Sequence, residues 1–324
     1  MRILVIRLSA LGDIVHALPA LTDLRRALPE AHIDFAVDER FVDVARLHGG
    51  VNQVVSIPLK RWKRHLGSTA TWRELGQTLS ALRRERYDLV LDLHGLNKSA
   101  LVALAARTAV RIGPDPRFCG EWLGPKIYHR FCTTQGSITP VPRMRAFVAD
   151  ALGQTSQDAA SYGLRHAWQG PSSEQVLLIH STSATAKLWP DPHWVALGQM
   201  LIDRGLHPLL PWGSPSERER SERLAQAMGA AARVAPQKTI LEWTAHFSQT
   251  RMVVGVDTGL THLAAACAVP CIAIFCATGA NLFAPQEAHR ALALGDLHQP
   301  PSLEAVVQGT QDLLARTATD AVAT

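Results

Sequence analysis

The stretch Val253 to Ala266, VVGVDTGLTHLAAA, decides the fold. Val253, Val254 and Val256 read as the end of a buried strand, Asp257-Thr258-Gly259 as a turn, and the residues after it as the start of a small-residue helix. Gly259 lets a ligand approach the backbone. The first turn of a helix presents unpaired N–H groups and a partial positive charge, so strand, turn and helix together make a seat for phosphate oxygens. The same residues also suit an ordinary βα turn in which Asp257 and Thr258 only cap the helix. Local sequence leaves both open.

Working outward, the pattern recurs. Val176 to Ile179 is a strand ending at His180-Ser181-Thr182-Ser183, followed by Lys187 and a helix from about Pro192 to Arg204. Pro208 to Pro211 is the next strand, Glu217 to Met228 and Ile240 to Phe247 are helices, Cys271 to Phe275 and Ala291 to Leu294 are late strands, and Leu303 to Ala315 is a closing helix. Glu217 in a first helical turn either complements the helix dipole or accepts ribose hydroxyls.

The first half is built alike. Arg2 to Leu8 runs into Ser9-Ala10-Leu11-Gly12-Asp13 and then a helix from Ile14 to Leu28, with Pro19 in or near its first turns. Asp13 is either an N-cap or a carboxylate placed to take a proton. Ile33 to Val37, Val54 to Ile57 and Tyr87 to Leu93 are further strands, and the last delivers His94, Gly95 and Lys98 to the same rim. Lys60-Arg61-Trp62-Lys63-Arg64 reads as a loop with four cations around one indole, either solvated surface or a clamp for phosphate or carboxylate groups. Residues 114 to 142 read as loops and short helices, a helix carrying Arg143 and Arg145 follows, and 153 to 173 is the linker. Two doubly wound α/β domains result, with ligand-type turns at the carboxyl ends of the strands. No GxGxxG, Walker motif or serine elbow is present.

At 324 residues the chain exceeds one ordinary core, which agrees with two domains. A formal charge of +5 suggests an anionic partner, but 33 Lys+Arg against 28 Asp+Glu is not the imbalance of a nucleic-acid binder. Five Cys without CxxC spacing read as free thiols in a reducing compartment, Cys267, Cys271 and Cys276 as buried ones. His262 with Cys267 and Cys271 lacks a second ligand pair at zinc spacing, so no metal site is expected. Neither a signal peptide nor a membrane span is expected, which implies a cytoplasmic protein whose membrane contact is peripheral.

Five segments in order, RLSALGDIVHALPAL, DLHGLNKSA, HSTSATAKLWP, PWGSPSERERSERLA and VDTGLTHLAAA, resemble the signature segments of the lipopolysaccharide heptosyltransferases, glycosyltransferase family 9. The PWG segment and the basic loop resemble type I members more than type II, and the likeness covers about residues 1 to 275. The resemblance implies a GT-B fold of two Rossmann-like domains facing a central cleft. Residues 1–165 would bind the acceptor and 174–302 the donor, with the helix from 303 packing back on the first domain. It implies inverting transfer of L-glycero-D-manno-heptose from ADP-heptose to the inner Kdo of Kdo2-lipid A by an enzyme peripherally bound to the inner membrane. No cofactor is implied, ADP-heptose being the donor substrate. Asp13 would be the general base and Lys187 a donor-phosphate contact. Gly12, Thr182, Ser183, Asp257, Thr258, Gly259, Leu260 and His262 would line the donor site, with Glu217 on the ADP ribose. Lys60, Arg61, Lys63, Arg64, Lys98 and Arg143 would face the anionic acceptor. Asp257 is awkward beside a diphosphate and is assigned to sugar hydroxyls or to organising its turn.

The chain departs from the family at Gly120, at Thr139 and at Cys276-Ala277-Thr278. A family 9 transferase with another acceptor, a GT-B nucleotide-sugar epimerase and a non-enzymatic nucleotide-sugar or lipid A binder therefore stay open.

Overall fold

The computed structural model describes residues 1–118, 121–132, 139–155, 159–165, 168, 170–283, 285–286 and 288–320. The chain divides into two compact units, Met1–Arg165 and His166–Thr324. Gly120, where the family motif differs, lies outside the described residues.

The first unit runs β1 (Arg2–Ile6), α1 (Leu11–Ala27), β2 (His32–Val37), α2 (Val42–Leu47), β3 (Gln53–Ser56), α3 (Leu59–Arg64), α4 (Thr69–Arg84), β4 (Leu89–Asp92), α5 (Asn97–Ala105), β5 (Arg111–Pro114), α6 (Gly124–Ile127), β6 (Arg130–Cys132) and α7 (Pro140–Leu152). The second runs β7 (Gln175–Ile179), α8 (Asp191–Ile202), β8 (His207–Leu210), α9 (Pro215–Met228), β9 (Arg233–Val234), α10 (Ile240–Phe247), β10 (Met252–Val256), α11 (Gly259–Ala266), β11 (Cys271–Phe275), β12 (Ala291–Gly295) and α12 (Leu303–Asp320).

Each unit holds a six-stranded sheet, ordered β3-β2-β1-β4-β5-β6 in the first and β12-β11-β10-β7-β8-β9 in the second. All ten strand pairings are parallel. Counted within its own unit, the second sheet repeats the order of the first. Covered on both faces by helices, the central strands are unbroken apolar runs: β10 and β11 are buried at every residue, and so is β1 after Arg2. The strand order reverses between β1 and β4, and between β7 and β10. At such a point the crossover helices leave to opposite faces and open a crevice at the strands' carboxyl ends. The turns after β1, β4, β7 and β10 are the ones singled out in the sequence.

Two elements differ from expectation. The stretch 114–142 contains β6, an edge strand of three residues whose first two side chains are exposed, too short to announce itself by periodicity. Residues 59–64 are the helix α3, and Trp62 points into the core. The closing helix α12 packs on the second unit's own core, where Val306 and Leu313 join Val176, Trp194 and Ile272. The apolar stripe of α12 is buried on α8, β11 and β12 of its own unit.

Candidate active site

In the first unit, β1 hands the chain to Arg7, which is 6% exposed. Its Nη1 donates to the Leu93 carbonyl at 2.8 Å, and its Nη2 lies 3.0 Å from Asp13 Oδ2. The Ala10 amide donates to the same oxygen at 2.9 Å. Asp13 is thus in the first turn of α1 and reaches back to the residue before the helix, while its Oδ1 has no partner among the described residues. Burial pushes its carboxyl up, but Arg7, the Ala10 amide and His16 outweigh that and hold it below its ordinary value. Asp13 is therefore ionised at neutral pH, with one oxygen anchored and one available.

The turn after β4 is organised by Asp92, which is fully buried and accepts from the amides of His94 (2.8 Å) and Gly95 (3.2 Å) and from Tyr128 Oη (2.6 Å). Gly95 has φ +73°, a left-handed conformation that glycine adopts without strain. The result aims His94 at β1, where the Leu8 amide donates to its Nδ1 at 3.1 Å. An accepting Nδ1 carries no proton, so Nε2–H is the donor of a neutral ring. Burial, then Arg7 and Lys98, lower the His94 pKa to about 3. Lys98 Nζ donates to Ser9 Oγ at 2.6 Å. The helix α7 is pinned to α1 by Arg145 and Asp23 at 2.7 Å, which brings Arg143 near Arg7. Burial and then Arg7 lower the Arg143 pKa, and the Asp13 carboxylate offsets them only in part.

In the second unit, Asp257 is 6% exposed at the end of β10, and both its oxygens are engaged. Oδ1 accepts from His262 Nε2 at 2.9 Å; Oδ2 accepts from Lys187 Nζ at 2.6 Å and Thr278 Oγ1 at 2.5 Å. Burial pushes this carboxyl up, but the bonds from His262, Lys187 and Thr278 hold it far below the usual carboxylate range. Thr182 Oγ1 donates to the Asp257 carbonyl at 3.2 Å. Thr258 is the N-cap of α11 but makes no side-chain capping bond. The capping alternative for Asp257 and Thr258 is thereby corrected: the carboxylate turns to Lys187, and the first-turn N–H groups at Gly259 and Leu260 have no side-chain cap. Gly255 makes this turn fit, because a Cβ there would lie 2.2 Å from Thr261 Oγ1, which ties the helix start to the Val256 carbonyl at 2.8 Å.

The remaining candidates divide. Gly12 lies in the first turn of α1, in the first unit. Ser183 is exposed on the turn after β7. Glu217 closes a capping box on α9: its Oε2 accepts from the Gly213 and Ser214 amides at 2.7 and 3.2 Å, while Oε1 has no partner among the described residues. Arg61 is held by Glu39 (2.8 Å) and Glu74 (2.7 Å), and Trp62 Nε1 donates to Glu74 at 2.9 Å. Lys60, Lys63 and Arg64 are exposed. The expectation of four cations on a loop around an open indole is therefore corrected: the indole is core and one cation is paired. Arg7 and Thr278 were not among the sequence candidates; the signal for each was a polar residue just past the end of a central strand.

A family model described as "Glycosyltransferase family 9 (heptosyltransferase)" matches residues 72–308. The chain belongs to glycosyltransferase family 9. As a member it is a glycosyltransferase, and its likeness runs well beyond the matched span. It is 36% identical over 283 residues to lipopolysaccharide heptosyltransferase 1 of Pseudomonas aeruginosa, covering 85% of this chain and 78% of that protein. The structure of the Escherichia coli heptosyltransferase WaaC with ADP superposes with a TM-score of 0.87 at 30% identity, over 97% of this chain and 100% of that one. The same E. coli enzyme with ADP-2-deoxy-2-fluoro heptose gives 0.82 at 30% identity, over 96% and 99%. The two parallel sheets with flanking helices are accordingly the GT-B-like α/β fold.

Proposed function

We propose that this heptosyltransferase of lipopolysaccharide core synthesis moves L-glycero-D-manno-heptose from ADP-heptose to the inner Kdo of Kdo2-lipid A, inverting the anomeric centre. The observation that carries the donor is the near full-length likeness to an E. coli enzyme described with ADP and with an ADP-heptose analogue. The acceptor rests on the cationic surroundings of Asp13, which suit an anionic sugar.

Inverting transfer requires a base for the attacking hydroxyl and stabilisation of the departing diphosphate. Asp13 Oδ1 takes the proton as the acceptor oxygen attacks and the bond from the heptose to the phosphate breaks. Arg7 keeps the carboxylate ionised and fixes its direction. The charge on ADP is met by Lys187 and by the uncapped N-terminus of α11 at Thr258, Gly259 and Leu260. Asp257 is a positioning residue that holds Lys187 and His262. Thr182, Ser183 and His262 line the donor site, Gly12 approaches the donor, and Glu217 Oε1 accepts from the ribose. Lys98 and Arg143 bind the acceptor, with Lys60, Lys63 and Arg64 attracting its anionic head; Arg61 shapes that surface through Glu39 and Glu74.

Among the described residues no helix is long and apolar enough to cross a membrane. The exposed cations of α3, with Leu66 (57% exposed) and Trp72 (58%) nearby in the chain, suit peripheral docking on the anionic inner face where the acceptor resides. Incubation with ADP-heptose and Kdo2-lipid A tests the proposal. Release of ADP with a gain of one heptose mass on the lipid is expected, whereas free sugar or binding without turnover would overturn it.

A further inference from the structure

Residues 181–188, between β7 and α8, carry Thr182, Ser183 and Lys187, and none of them is buried. Burial therefore does little to fix this loop, and among the described residues no main-chain hydrogen bond joins its two ends. Its base is closed by a side chain from another helix. Arg220, in α9, donates from Nη1 to the His180 carbonyl at 2.6 Å and from Nη2 to the Trp189 carbonyl at 3.2 Å, the residues immediately before and after the loop. Asp191 Oδ1, at the start of α8, accepts from Nε at 2.9 Å and from Nη2 at 2.5 Å, which sets the plane of the guanidinium. The Arg220 side chain is 12% exposed, and His180 and Trp189 are fully buried, so carbonyls deprived of this donor could reach water only by opening the loop. The next residue of α9 adds a second tie: Ser221 Oγ and Ser181 Oγ each lie 2.8 Å from a ring nitrogen of His180. Glu217, one turn earlier on the same helix, completes the set of donor contacts that α9 holds together.

We propose that Arg220 is a positioning residue of the donor site, closing the 181–188 loop at its base so that Thr182, Ser183 and Lys187 meet the diphosphate from a fixed frame. The inference rests on the donor reading above and adds to it a residue that acts through the loop. A guanidinium is a rigid planar fork, so one side chain satisfies two carbonyls and a carboxylate in set directions, which a lysine ammonium on a flexible stem cannot do. Within the loop, Thr182 and Lys187 reach the turn after β10 at the Asp257 carbonyl and carboxylate. Held at its base by Arg220 and at these two points by Asp257, the loop keeps the Lys187 ammonium near the uncapped start of α11. Loss of the base would let Lys187 wander by the ångström or so that matters for gripping a phosphate.

The test measures ADP binding by calorimetry to full-length wild type, Arg220→Met, Lys187→Met and the double variant, with the melting temperature of each. Lys187→Met should weaken ADP by about 10- to 100-fold, the range of a charged hydrogen bond. Arg220→Met should weaken it by a similar factor, as removal of a group that orients a ligand-binding side chain does. The double variant should bind about as weakly as the weaker single one, because Arg220 works largely through Lys187. A residue that only supports the fold would lower the melting temperature and leave this coupling absent. Arg220→Lys, which keeps the charge and can reach only some of the partners, should fall between wild type and Arg220→Met; it carries the same comparison if Arg220→Met does not fold. ADP affinity equal to wild type in the Arg220 variants, or losses that multiply in the double variant, would overturn the assignment. Unimpaired ADP binding by Lys187→Met would instead overturn the donor reading itself.

Discussion

Replacing Asp257 by Asn removes the charge that holds the second unit's site together while keeping its shape. The native carboxylate accepts from Lys187 at 2.6 Å, His262 at 2.9 Å and Thr278 at 2.5 Å. Asn can still accept from Thr278 and offer its amide to an accepting His262 ring nitrogen, so the loss falls on Lys187. Removing one partner from a buried ion pair costs about 3–5 kcal/mol; the Lys187 side chain is 28% exposed, which moves the expectation to about 2–3 kcal/mol. For a unit of this size that is a fall in Tm of about 4–12 °C. The sign with pH follows from the depressed carboxyl. Its stabilisation is complete above the ordinary value of 3.8 and is lost as pH falls through the much lower folded value. The Tm gap between wild type and Asp257→Asn should thus be constant from about pH 5 to 8 and narrow only below about 3.8 in denaturant titrations. ADP affinity, read by calorimetry, should weaken because Lys187 loses its anchor. Equal melting of the two proteins, or a gap that opens on acidification, would refute the reasoning.

Acid should destabilise the protein through its buried histidines: burial lowers His48 from 6.5 to about 4, and His94 and His180 to about 3, so the unfolded chain takes up protons the folded one refuses. Stability then falls from pH 6.5 downward by a few kcal/mol per residue, and His48→Gln should flatten part of that slope in denaturant titrations; an unchanged slope counts against it. Gly113→Ala should lower both Tm and transfer rate, because its Cβ would lie 2.1 Å from the Tyr128 ring that holds Asp92 and hence the His94 turn. Gly76→Ala, in open space within α4, should raise Tm slightly; the reverse ranking would be decisive against this account. Neutralising Lys60, Lys63 and Arg64 together should weaken sedimentation with anionic liposomes while leaving Tm nearly unchanged, and undiminished binding would remove α3 from the docking surface.

Where a run of apolar residues is bounded by polar turns, sequence periodicity located the element: α10 and β11 match residue for residue, and the central strands follow within a residue or two. The ligand turns were legible for the same reason, since a polar or glycine residue just past a buried strand has few structural reasons to be there. Partnerships across the chain were not legible. Lys187 and Asp257 are seventy residues apart, and nothing local says that a lysine after β7 will choose the carboxylate after β10. Arg7 read as the last residues of a strand, yet its buried guanidinium is what orients Asp13. The Lys60–Arg64 segment looked like a loop because its charges dominate, while Trp62 buried against Leu82 and Tyr87 makes it a helix on the core. The edge strand β6 has too few residues for alternation to show.

The central claim is that Asp13 takes the acceptor proton and has no part in holding the donor. It is tested most directly by Asp13→Ala, with transfer to Kdo2-lipid A followed by mass spectrometry and ADP binding by calorimetry on the same preparation. A general base contributes about 10²- to 10⁴-fold, so transfer should fall by at least about a hundredfold while the ADP affinity and the melting of the second unit stay as in the wild type. A folded Asp13→Ala protein that turns over at the wild-type rate would contradict the account.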